Sequence, residues 1–182
     1  MLKPFVTLIS FLAVLAASLG LASTTTASAA VTAPSWPKTV VYVYDTTAGL
    51  KKADGTPVWP VKAAAERWDN DNPVDYRYTA KPCPAGAQCV VVKQQELAGN
   101  TVGSAVTGSI GTELVSATVT LDKTFGARNS ATRRRNVACH ELGHALGLAH
   151  RSGETSCMTS YVTNQRNPDK TDVTTLVRMY TR

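Results

Sequence analysis

Cys139-His140-Glu141-Leu142-Gly143-His144-Ala145-Leu146-Gly147-Leu148-Ala149-His150, with Met158 eight residues on, contains all three histidines of the chain. On a helix, residues four apart share a face, so His140 and His144 can reach one ion. Glu141 follows the first of them and leans toward a water held there, the place of a general base rather than a ligand. Gly147 can end the helix, because glycine adopts positive φ cheaply. The chain can then turn back and deliver His150 as a third ligand. Three neutral imidazoles leave the fourth position of a tetrahedral Zn²⁺ open, an arrangement that suits catalysis rather than structural closure. The chemistry expected is amide hydrolysis by a water whose pKa zinc lowers to roughly 7. A His-Glu-x-x-His pair alone arises by chance in helices. The added Gly147 and His150 separate this stretch from a helix whose histidines merely face solvent or bond within a core.

The stretch needs a scaffold, and the residues before it supply an alternation of strands and helices. Residues 39–45 are β-branched and aromatic without strict polar alternation, which predicts a strand covered on both faces. A helix is expected over 57–68, with Thr56 as cap and Val58, Val61, Ala64, Ala65 and Trp68 on one face. Residues 69–73 (Asp-Asn-Asp-Asn-Pro) read as a turn; they lack the ligand set and glycine of a calcium loop. Residues 74–79 and 89–94 read as strands. Residues 98–112 are Gly-, Ser- and Thr-rich and form either a loop or an exposed edge strand over 101–107. Residues 114–122 place Val115, Ala117, Val119 and Leu121 on one face of a further strand. Asn129 or Ser130 can cap the helix that runs into the histidines. This order predicts an α/β architecture around a central sheet.

Hydrophobic content of 43% and charged content of 18% fit a globular chain. The net charge of +6 includes one dense cluster, Arg133-Arg134-Arg135, expected to be a solvated helix face. A nucleic-acid surface would need a broader basic stripe interleaved with aromatics, so that class is excluded. The positive balance favours acidic or anionic partners.

Lys3 followed by an apolar run over 5–21 and small residues at Ala27-Ser28-Ala29-Ala30 reads as an export signal cut after Ala29 or Ala30. No cysteine lies near that site to carry a lipid, and no later run is apolar enough to span a membrane. The expected organisation is a signal peptide over 1–30, a short segment over 31–38 and a catalytic domain over 39–182. About 150 residues then remain, enough for one core. Cys83, Cys89, Cys139 and Cys157 allow three disulfide pairings. The favoured one joins Cys83 to Cys89 and Cys139 to Cys157, tying the histidine helix to the segment that carries Met158.

These residues resemble the metzincin metalloproteases and, within them, the matrixins: the zinc-binding pattern followed by a Met-turn is a metzincin signature. The resemblance makes Met158 the methionine beneath the zinc. It implies a mixed, mostly parallel five-stranded sheet with one antiparallel edge strand, supplied by 101–107, on which an extended polypeptide substrate adds as a strand. It also implies an active-site helix, a C-terminal helix over 172–180, and a pocket wall from Thr159, Ser160, Tyr161 and Val162. Several features depart from the family. Arg151 is not the residue usual after the third histidine. Tyr161 lies three residues after Met158, one too many for a zinc-binding tyrosine. No histidine remains for a second zinc, calcium sites lack a clear acidic set, and no cysteine precedes position 83 to act as a latency switch. One catalytic Zn²⁺, a monomer, and restraint by a separate proteinaceous inhibitor rather than a pro-domain are the expectations. A processing peptidase for cell-wall or surface peptides keeps the same chemistry. A zinc-bearing binding module is the reading from another class, and Glu141, dispensable for it, speaks against it.

Overall fold

The computed structural model describes residues 33–70 and 72–181; the expected signal over 1–30 lies outside them. The strands are β1 (Val40–Asp45), β2 (Asp75–Thr79), β3 (Cys89–Gln95), β4 (Gly103–Ile110) and β5 (Glu113–Asp122). The helices are α1 (Val61–Asp69), α2 (Lys123–Arg128), α3 (Ala131–His144) and α4 (Lys170–Tyr180). The sheet order is β2-β1-β3-β5-β4. All neighbours are parallel except β4, which runs antiparallel to β5 at the edge. This is the mixed α/β fold expected.

Val41, Val43, Val90, Val92, Val119 and Leu121 come from the sheet and are fully buried. They belong to one core with Ala64, Ala65 and Trp68 of α1 and with Val137 and Leu142 of α3. Each buried valine or leucine contributes about 1.5–3 kcal/mol. The core therefore fixes α3, which carries the histidines, against the sheet and α1. Aromatic donors then pin its backbone. The indole of Trp68 donates to Cys139 O (2.8 Å), that of Trp36 to Ala145 O (2.9 Å), and the Tyr76 hydroxyl to Leu142 O (3.3 Å). The Tyr180 hydroxyl reaches Leu146 O at 3.1 Å. Trp36 lies before the expected domain boundary, yet it is buried in this core, and Ser35 bonds the backbones of Thr112 and Leu114.

Several expectations change. β1 buries only the face of Val41, Val43 and Asp45; Val40, Tyr42 and Tyr44 stay half-covered, with Arg77 stacked over the Tyr42 ring. Helix α1 starts at Val61 rather than Pro57, because Pro60 biases the residue before it away from helix. Thr56 instead bonds Asp54. Val115 faces solvent: Gly108 pairs with Ser116 but Ser109 with Leu114, so a β-bulge at Val115 turns Leu114 into the core. The edge strand runs from Gly103 to Ile110. The six-residue α2, too short to show periodicity, was not expected; the Asp122 carboxylate caps it by accepting from Phe125 N (2.6 Å).

The three arginines of α3 are not one solvated face, since successive helical residues point about 100° apart. Arg133 lies over the Phe125 ring, Arg134 is buried and donates to the Pro57 and Val58 carbonyls, and Arg135 donates to Asn167 Oδ1. Of the residues expected to turn over 69–73, Asp71 lies outside the described ones; Asp69, at the end of α1, accepts from Tyr76 N and Asn72 from Val74 N.

Candidate metal centre

Helix α3 is capped by Ser130, whose hydroxyl accepts from Arg133 N, and is followed by a turn through Gly147. Gly147 has φ +95°, with Gly147 N bonded to His144 O (2.9 Å) and Leu148 N to Gly143 O (3.1 Å). A Cβ at Gly147 would also collide with the Pro34 carbonyl, so the position demands glycine twice over. The turn brings His150 back to the helix. His140 Nε2 lies 3.0 Å from His144 Nε2 and 3.1 Å from His150 Nε2.

The hydrogen bonds decide what these nitrogens present. His140 Nδ1 donates to Cys157 O (2.8 Å) and His144 Nδ1 to Leu148 O (2.7 Å). A carbonyl only accepts, so both Nδ1 atoms carry the proton and both Nε2 atoms present lone pairs. Burial, first, and the neighbouring imidazoles push the His140 pKa down to about 4 despite the bond to Cys157 O. Burial lowers that of His144 too. Neutral lone pairs facing each other at 3.0 Å repel, and a shared cation removes that repulsion. Three nitrogens about 2.0–2.1 Å from one tetrahedral zinc would lie roughly 3.3–3.4 Å apart, close to the spacings found. The donor set fits zinc. Among the described residues this is the one group of three or more His, Cys, Asp or Glu side chains placed to hold a metal.

Glu141 is 6% exposed, and burial raises its carboxyl to about 7. It lies against Gly103 at the start of β4; a Cβ there would be 2.6 Å from Glu141 Oε1. Met158 is fully buried beneath α3, packed where a Cβ on Gly143 would strike its sulfur. Both disulfides, Cys83–Cys89 and Cys139–Cys157, are formed. The second joins the residue before His140 to the residue whose carbonyl orients His140.

A cleft of about 550 Å³ opens over the histidines. One side is the start of β4 and the residues leading into it; the other is Thr159, Ser160, Tyr161 and Val162. The Tyr161 hydroxyl points to Glu154 Oε1 (3.0 Å). Asn136 also lines the cleft, its amide bonded to Thr163 and Gln165. Gly103 and Asn136 were not singled out from sequence. A glycine inside a strand marks a close approach, and this one was legible on that ground. Asn136 carried no such signal, since it directly follows Arg133, Arg134 and Arg135 in a polar stretch of the helix.

The Matrixin family model matches residues 45–181. A solved structure described as the GM1-bound form of the ECX AB5 holotoxin is similar in fold, with a TM-score of 0.53 and 14% identity, covering 78% of this chain and 80% of that one. No curated protein sequence matches significantly. With the family pattern spanning the histidine helix and strands β2 to β5 of the sheet that carries it, the chain belongs to the matrixin family of metallopeptidases.

Proposed function

We propose that the protein is a secreted zinc-dependent endopeptidase, exported by residues 1–30 and active as a monomer with one zinc. The observation that carries this reading is the convergence of three imidazole Nε2 atoms in a cleft that also holds a buried carboxyl group, Glu141. When bound, zinc supplies Lewis acidity: it makes a water nucleophilic near neutral pH and polarises the scissile carbonyl. His140, His144 and His150 hold it. The charge of a bound ion would draw the Glu141 carboxyl back toward the ionised form that a base needs. Glu141 takes the proton of the attacking water and passes it to the leaving amine. The outer edge of β4 offers unpaired backbone groups to an extended substrate, which adds as a sixth strand. Thr159 to Val162 and Asn136 bound the pocket for the side chain after the cut bond. The two disulfides favour an oxidising compartment, and no described helix is long and apolar enough to cross a membrane.

Casein hydrolysis by the chain without residues 1–30 tests the reading. Activity is expected, lost on chelation and restored by zinc. Glu141→Gln should keep one zinc and lose about 10²–10⁴-fold in kcat/KM. Equal activity of the two proteins would remove Glu141 from the chemistry.

A further inference from the structure

The three histidines are not held alike. His140 and His144 sit on α3, and each fixes its ring through an Nδ1–H bond to a backbone carbonyl. His150 lies beyond the helix, is exposed, and has no Nδ1 partner among the described residues. Ligating imidazoles almost always donate that second nitrogen to something, because the bond sets tautomer and orientation. His150 therefore depends on the chain that carries it.

That chain is fastened at the next residue. Arg151 N donates to Met158 O (3.1 Å), forming a bridge with Thr159. The Arg151 guanidinium reaches two carboxylates at the start of α4, Asp169 and Asp172, the latter at 3.0 Å. Asp172 is 2% exposed, and its other oxygen accepts from the Ser156 hydroxyl and from Asp169 N. Ser156 Oγ in turn accepts from Met158 N (2.9 Å). The bonds close a circuit, Arg151 to Asp172 to Ser156 to Met158 and back to Arg151. Two carboxylates in the capping box of α4 repel unless a cation lies between them, and Arg151 lies there.

We infer that Arg151 is the positioning residue of the third ligand: it anchors the His150 backbone to the start of α4 and to the Met158 turn, in place of a ring hydrogen bond, for which His150 has no partner among the described residues. The inference rests on the reading of the histidines as a metal site. Loss of an outer partner of this kind typically weakens metal binding 10–100-fold.

Competition for zinc with a chromophoric chelator tests it on the chain without residues 1–30. Arg151→Ala should raise the zinc Kd 10–100-fold. Arg151→Lys, which keeps the charge, should fall between it and wild type. Arg128→Ala, removing an exposed cation on α2, should match wild type. Cobalt(II) in place of zinc adds a spectroscopic readout: the d–d bands should shift in Arg151→Ala toward fewer nitrogen ligands. A purely structural role would lower the melting temperature of the metal-free protein and leave Kd and spectrum unchanged, which would overturn the inference. Should Arg151→Ala fail to fold, a wild-type Kd for Arg151→Lys together with an unshifted cobalt spectrum would overturn it as well. Absence of zinc binding by wild type would instead remove the underlying metal reading.

Discussion

Helix α3 and the segment after it, residues 145–169, share the site but secure it by different means. In α3 the spacing of the residues does the work: His140 and His144 fall on one face because a helix repeats every 3.6 residues, and Glu141 is aimed beside them. The following segment has no repeating structure. Its residues are placed by bonds to partners far along the chain: Cys157 by its disulfide to α3, Arg151 and Ser156 by Asp172 of α4, and residues 163–165 by Asn136. The helix thus places two of the proposed ligands and the proposed base by local rule. The third proposed ligand, Met158 and the cleft residues 159–162 depend on tertiary structure. Changes in the helix should therefore strike chemistry, and changes in the segment should strike metal retention and pocket shape.

The two disulfides separate the helix from the segment most sharply. Cys139–Cys157 spans 18 residues and Cys83–Cys89 spans 6. Loop entropy alone assigns them about 3 and about 2 kcal/mol. At roughly 2–4 °C per kcal/mol, the double alanine variants should melt several degrees lower, the first pair more so. Only the Cys139→Ala/Cys157→Ala protein should also lose zinc affinity, because only that bridge holds the carbonyl that orients His140. Thermal melts and zinc titrations of the two variants check both points. Equal zinc affinities would mean that the segment places Cys157 without its bridge.

A second test probes the helix side through its neighbour. Gly103→Ala puts a methyl group where the Glu141 carboxylate lies. Displacing a catalytic group by about 1 Å can cost about 10²-fold, so kcat/KM should fall by that order while zinc content stays at wild type. Gly49→Ala, with open space around the same atom, should leave activity unchanged.

The smallest effect concerns acid. Burial works to raise the Asp169 carboxyl, but bonds from Thr155, Arg151 and the backbone of Asp172 and Thr171 hold it below the usual carboxylate value. A depressed pKa adds stability above the unfolded value, about 3.9, that is lost as pH falls through the folded one. Compared in chelator, wild type should therefore melt above Asp169→Asn near neutral pH, with the gap closing below about pH 4. A constant gap down to pH 2 would show that Asp169 contributes shape and not charge.

This division also explains what was legible in the chain. His140, Glu141 and His144 could be read because one helix carries them at its own repeat, and Gly147 and His150 because they follow it at a short, recognisable spacing. The sheet could be read from β-branched runs, and the antiparallel edge from the family likeness. What stayed hidden depends on contacts between distant residues. Nothing in Trp36 itself says that its indole meets Ala145 O, 109 residues away. Val115 fits the apolar alternation of its strand, and only the pairing register shows the bulge that expels it. The three consecutive arginines looked like a surface run because no local rule tells where each guanidinium finds its carbonyl or ring. Arg151 was visible only as an unusual residue after the third histidine; its partners lie 18 and 21 positions on.

On the proposed reading His140, His144 and His150 hold one zinc. Native mass spectrometry of the chain without residues 1–30 after equilibration with zinc tests it most directly. A single zinc is expected per wild-type chain and none in His140→Ala/His144→Ala/His150→Ala. A wild-type chain without zinc, or a triple variant that still carries one, would contradict it.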